Sequence, residues 1–221
     1  MPPVPVIKAE YGPTLPQLLA PRSLAVRVAA IAIAALIAAG ALYIVFSSRP
    51  DEVAVLVRQP VTFNLVHGDE WRKEPARGAL VSLRHERRGL FLDSYVIREL
   101  RLPPYEGAVS GTLPIFANGH LRALRTRYPG FEYVGEGRAR INNAIGYEVT
   151  FRARLGDRRL YGRHYLLVEE EPEGRRRGVV IELISTPAAG TPDATEIGNH
   201  GSLKTPLRSF RFGEEREGGT A

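Results

Sequence analysis

Five histidines, His67, His85, His120, His164 and His200, are the scarcest proton-handling side chains of the chain, at spacings of 18, 35, 44 and 36 residues. No HxH or HExxH places two imidazoles on one strand or one helical turn, so nothing local assembles a zinc site. There is no cysteine, which excludes disulfides, thiolate ligation and a thiol nucleophile. No serine stands in a GxSxG frame, so a nucleophile elbow is missing. No Walker or dinucleotide glycine pattern follows a strand either. The expectation is therefore no catalytic, cofactor-binding or metal-binding residue, no cofactor, and a protein that is not an enzyme. The catalytic alternative is an acid and a base drawn from scattered carboxylates, Asp93 or Glu148, and a histidine.

Charge offers other chemistry. Arg122, Arg125 and Arg127 fall on the outer face of a helical pattern, and they are the candidate surface for an acidic envelope protein or lipid headgroups. Glu169, Glu170, Glu171 and Glu173 precede Arg175, Arg176 and Arg177. Across a hairpin turn these acids and bases pair with one another, each exposed pair being worth about 0–1 kcal/mol. Beyond residue 50 there are 26 basic against 23 acidic residues, a net of +3, too little for the concentrated basic stripe of a nucleic-acid binder. Arginine supplies nearly all the positive charge, and with abundant Ala, Gly and Pro this suggests a GC-rich bacterial genome.

The elements that must position these groups are mostly strands. Ile145, Tyr147, Val149, Phe151 and Ala153 alternate with Glu148, Thr150, Arg152 and Arg154, the period of a half-buried antiparallel strand. The turn at 155–157 leads to a strand at 160–168, and a second turn leads to one at 179–185. Further strands are expected at 53–57, 61–66, 80–85, 89–100 and 131–141. One helix is expected with Thr112 as N-cap and Pro114 in its first turn. Its apolar stripe is Leu113, Phe116, Ala117, His120, Leu121, Leu124 and Tyr128, and Pro129 with Gly130 ends it. His120 then reads as a core imidazole, and Trp71 as a core or rim aromatic. A weaker helix is expected over 193–207, broken near 198–201.

Ahead of these elements, residues 28–46 carry no charge, and nine of the nineteen are Val, Ile, Leu or Phe. As a helix the run is about 28 Å long, close to the roughly 30 Å hydrocarbon core of a bilayer. The apolar residues favour insertion by roughly 3–5 kcal/mol. A signal anchor with limits at Val28 and Phe46 is expected. Ala39-Gly40-Ala41 has the small-x-small form of a signal-peptidase site, but the apolar run continues beyond Ala41. Ala30, Ala34 and Ala38 form a small-residue stripe suited to helix pairing. Lys8, Arg22 and Arg27 precede the run, whereas Arg49 is joined by Asp51 and Glu52 after it. The expected site is the cytoplasmic membrane, crossed once, with the N-terminus in the cytoplasm and the C-terminal domain outside.

The strands, the helix closed by Pro129-Gly130, and the strings "FNLVHGDEW", "GRARINNAIGYEVTF", "RRLYGRHYLLV" and "LKTPLRSFRF" together resemble the PsbP-like family over residues 52–212. The resemblance implies an α+β fold, an antiparallel sheet of six or seven strands covered by helices in an α/β/α sandwich, and a binding or assembly role. The expected organisation is a proline-rich cytoplasmic tail at 1–27, a transmembrane helix at 28–46, a linker at 47–51, the extracytoplasmic domain at 52–212 and a polar tail at 213–221. The function expected is that of an anchored, non-catalytic envelope module. Its rivals are the envelope enzyme above and a small-ligand or lipid carrier with a pocket between sheet and helix.

Overall fold

The structure, a computed structural model, describes residues 28, 31–37, 52–102, 109–170 and 176–214. The chain divides into two compact units, Met1–Arg49 and Pro50–Ala221. In the first, residue 28 and residues 31–37 are helical. Val28, Ile31, Ile33, Leu36 and Ile37 are each more than half exposed, and Ala34 is exposed on the same helix. Among the described residues no helix is long and apolar enough to cross a membrane. Ala30, Ala38, Ala41 and Phe46 lie outside the described residues.

The second unit runs β1 (Val53–Val57), β2 (Phe63–His67), β3 (Trp71–Lys73), β4 (Ala79–Arg87), β5 (Leu90–Leu100), α1 (Val109–Arg127), β6 (Glu132–Ile141), β7 (Ala144–Leu155), β8 (Arg158–Glu170), β9 (Arg176–Ser185), α2 (Lys204–Ser209) and β10 (Arg211–Phe212). Seven strands form one antiparallel sheet in the order β3-β4-β5-β9-β8-β7-β6, and β1-β2-β10 form a second. After β5 the chain leaves the middle of the large sheet, and α1 carries it across one face to the far edge. There β6 to β9 return as a meander until β9 pairs with β5.

Alternation explains the layers. On one face Val149, Phe151, Ala153, Leu160 and Ile184 pack against Ala117 and Leu124 of α1. Leu100, Leu166, Val168 and Val180 pack against Leu113. The opposite alternation, including Tyr95, Ile97, Tyr165, Ile181 and Leu183, meets Phe63 and Leu65 of β2, Leu207 of α2 and Phe210. Both faces of the seven-stranded sheet are thus covered. Thr150 on the second face of β7 is only 5% exposed, so the strand expected to be half-buried is covered on both sides at that point, while Glu148 and Arg152 are partly buried and Arg154 is exposed. Gly162 lies opposite Phe151. A methyl at this glycine would meet the Phe151 ring, so the bare backbone lets the aromatic lie across the neighbouring strand.

The seven strands agree with the upper end of the six or seven expected, but the second face is not covered by helices alone. The small sheet and the single short helix α2 lie there, because residues 198–201 cannot stay helical. Gly198 and Gly201 have positive φ, 82° and 67°, which breaks the 193–207 pattern into a 3-10 turn, Ala194–Glu196, and α2. Thr112 is not the N-cap. The helix begins at Val109 and runs through Pro114. Thr112 and Leu113 are 4% and 2% exposed, and packing this turn on the sheet outweighs the local capping preference.

Candidate functional site

The three helix arginines do not act as one free face. Arg122 and Arg125 are exposed, with the Arg125 guanidinium 6.0 Å from the Phe131 ring. Arg127 Nη1 instead donates to both carboxylate oxygens of Glu182 at 3.2 and 3.3 Å. Glu182 is buried on β9 and also holds Arg98 Nε at 3.3 Å. Two cations on one buried carboxylate give an arrangement in which the charge is compensated where it lies.

Beside this network, β8 sets His164 opposite Glu182, and α1 brings His120 over it. His120 Nε2 and His164 Nδ1 are 3.0 Å apart, so one ring donates and the other accepts through an unprotonated nitrogen. Burial lowers the His120 pKa, opposed by the Glu182 charge and assisted by Arg127. His164 is pushed well below the ordinary imidazole value by burial first, then by His120, Arg127 and Arg98. Its Nε2 is buried with no partner among the described residues, and Phe151 meets its ring edge-on at 5.2 Å.

Asp93, one of the two carboxylates singled out by sequence, lies buried at the hub of a second cluster. Ser185 Oγ donates to its Oδ1 at 2.6 Å, and Ser202 Oγ donates to its Oδ2 at 2.7 Å. His85 Nδ1 lies 3.2 Å from Oδ2, and Trp71, 5% exposed, packs 5.7 Å from the His85 ring. In a Ser-His-Asp relay the imidazole stands between hydroxyl and carboxylate. Here both serines give their protons to the carboxylate itself, so no hydroxyl is delivered to the histidine. The cluster pins the end of β9 and the turn before α2 onto β5.

Glu148, the other carboxylate, lines a groove of about 700 Å³. Its walls are the end of β6 and its turn (Arg138, Arg140, Asn142), β7 and β8 (Glu148, Arg163, Tyr165) and the C-terminal segment (Asn199, Arg208). Arg163 gives Nε and Nη2 to Glu148 at 3.1 and 2.8 Å, and its Nη1 to the carbonyls of Thr195 and Ile197, both at 3.1 Å. Glu148 is therefore neutralised within the wall. Arg138, Arg140 and Arg208 are exposed. Two other hollows, about 300 Å³ beside β1 and the β3–β4 hairpin and about 200 Å³ around Arg152 and Arg154, are smaller. None of the three is lined by His85, Asp93, His120 or His164. None is lined by α1, whose contact with the sheet is filled by side chains. No three His, Asp or Glu among the described residues are arranged to hold a metal ion.

Sequence reasoning found Asp93, Glu148 and the histidines but not their partners. It read "GRAR" as strand pattern and missed Arg138 and Arg140 as groove residues. Arg138 and Arg140 stand opposite Tyr147 and Ile145, so their side chains share the α1 face of this edge strand, and β6 borders the groove from the sheet edge rather than from the face that carries Glu148 and Arg163.

No protein-family model matches the chain, and no curated protein matches it by sequence. By structure, 22 solved chains match. The fold is similar to cyanobacterial PsbP (CyanoP) from Synechocystis sp. PCC 6803, with TM-score 0.53 and 10% identity, over 73% of this chain and 92% of that one. It is also similar to LpqN, a protein involved in cell envelope biogenesis of Mycobacterium tuberculosis, with TM-score 0.50 and 13% identity, over 74% of this chain and 91% of that one. At such identities the likeness is one of fold, and the fold is PsbP-like.

Proposed function

We propose that the chain is a single-pass, membrane-anchored module of the bacterial envelope whose external domain binds a ligand in the groove beside Glu148 and Arg163 and does no chemistry on it. The groove carries this reading. It is the largest of the three hollows, it is open, and its one carboxylate is already spent on Arg163. Anchoring is supported by the uncharged run 28–46 and by the exposed apolar helix side chains Ile31, Ile33, Leu36 and Ile37. Such surface is unfavourable in water and favourable in hydrocarbon. The envelope role of LpqN is consistent with an external site.

A photo-crosslinking residue in place of Asn199, on the groove wall, tests the reading in membranes of the native host. A discrete adduct that Arg208→Glu abolishes is expected. No adduct, or one indifferent to Arg208→Glu, would remove the groove from the function. The enzyme reading has the His85–Asp93 contact in its favour. It would be revived by turnover of any ester or amide substrate that His85→Gln abolishes.

A further inference from the structure

We infer that β6 is an interaction edge whose partner is the β6 of a second copy of this chain, paired antiparallel about Gly137. The large sheet ends at β6, which is hydrogen-bonded to β7 on one side only. Among the described residues no backbone hydrogen bond from another segment reaches its outer edge. The opposite end of the sheet, β3, has three residues against ten in β6, and a short edge offers little to an added strand. The unpaired N–H and C=O groups of the longer edge are a template for one more strand. On the second face of the sheet β6 carries Gly135, Gly137 and Ala139, opposite Thr150, Glu148 and Gly146. Apart from chain neighbours, nothing lies within 4 Å of where a Cβ would stand at either β6 glycine, so packing inside the domain does not call for them. Bare positions weaken a strand and leave room for another backbone to come close.

The charges on the other face choose the occupant. Glu136, Arg138 and Arg140 stand opposite Val149, Tyr147 and Ile145 on the α1 face, and all three are exposed. Charges on an edge repel an added strand unless it brings the opposite sign to meet them. Opposite residues of an antiparallel pair point to the same face, so a strand that pairs with its own copy across a two-fold sets one residue opposite itself. Centred on Glu136, Arg138 or Ala139, the register would put like charges face to face. Centred on Gly137, each Glu136 faces the second copy's Arg138, and each Gly135 faces the second copy's Ala139. The regular part of β6, beyond the bulge between Tyr133 and Gly135, is therefore self-complementary. Glu132, before the bulge, is already held by Arg152 at 3.1 Å. The two-fold of such a pair runs perpendicular to the sheet, and both copies present the same face to the same side. β1, with which the domain begins, packs on the second face, so both chains enter from one side, as two chains anchored in one bilayer require.

The chain has no cysteine, so Gly137→Cys introduces a single thiol at a position open to a side chain. Directly opposite residues of an antiparallel pair have Cα atoms about 4.5–5.5 Å apart, inside the range a disulfide spans. Freshly broken cells carrying the full chain are oxidised with copper phenanthroline, and the covalent dimer is read on a non-reducing gel. Gly137→Cys should give a dimer, and Arg122→Cys, on the exposed side of α1, should give far less. Adding Arg138→Glu or Glu136→Arg to Gly137→Cys should lower the yield at least about fivefold, and adding both, which exchanges the charges, should restore it. Trp71 fluorescence in urea checks that each variant is folded. Arg138→Gln, a milder change, replaces a reversal that does not fold and should still lower the yield. No dimer from Gly137→Cys, an equal yield from Arg122→Cys, or a yield indifferent to the charge changes overturns the inference. The Asn199 cross-link in the groove is read separately, so either proposal can fall alone.

Discussion

His164 is fully buried, and its only hydrogen-bond partner among the described residues is another imidazole, His120, at 3.0 Å. Protonating either ring would put a cation beside the guanidiniums of Arg127 and Arg98, with Glu182 already shared between those two. Both folded-state values lie below the ordinary imidazole value, so the unfolded chain binds the proton more readily. The stability contributed by the pair is complete above about pH 6.5 and is lost as pH falls from there toward the folded values. Urea unfolding followed by the fluorescence of Trp71, the single tryptophan, should show stability falling below about pH 6.5. The slope should be at most roughly 1.4 kcal/mol per pH unit for each proton taken up. In His120→Leu/His164→Phe the slope between about pH 6.5 and 5 should flatten. An unchanged slope would assign the acid sensitivity to other groups.

At the scale of elements, α1 is held on the sheet by apolar packing, by the His120–His164 contact and by a clasp from Arg127 to Glu182. The clasp crosses from the last turn of the helix to a central strand, so its loss is felt by docking rather than by helix formation. Arg127→Ala leaves Glu182, 7% exposed at its side chain, with Arg98 alone, and should lower stability by about 1–3 kcal/mol. Arg122→Ala, on the exposed side of the same helix, should stay within about 0.5 kcal/mol. Equal small effects in the two variants, measured by Trp71 fluorescence in urea, would show that the clasp contributes nothing. The contrast also separates the helix arginines as a binding surface from the groove, because a loss of ligand in Arg127→Ala must first be corrected for a loosened helix.

For the whole molecule, the proposed anchor implies a side of the membrane for the domain. The basic residues Lys8, Arg22 and Arg27 before the apolar run argue for a cytoplasmic N-terminus. The chain has no native cysteine, so a single Gly219→Cys reports topology without background. Labelling by a membrane-impermeant maleimide on intact cells is expected. Labelling only after lysis would reverse the assigned orientation and take the groove out of contact with the envelope.

By itself the sequence determined what depends on neighbours along the chain. The alternation at 145–154 placed β7, the turns at 155–157 and 129–130 placed the ends of their elements, and the charges of Glu169 and Arg177 anticipated a register that sets them opposite each other. Even the PsbP-like arrangement was legible, because it rests on the order and period of strands. Tertiary structure decided everything that needs two distant segments at once. His120 and His164 are 44 residues apart, Asp93 and Ser202 are 109 apart, and Asn142 reaches Arg208 across 66. Chain order carries no information on these distances until α1 crosses the sheet and β9 closes onto β5. Thr112 shows the same limit from the other direction. Its type argued for a helix cap, but the apolar area gained by burying its turn is worth more than one cap hydrogen bond, and that area exists only once the sheet is formed.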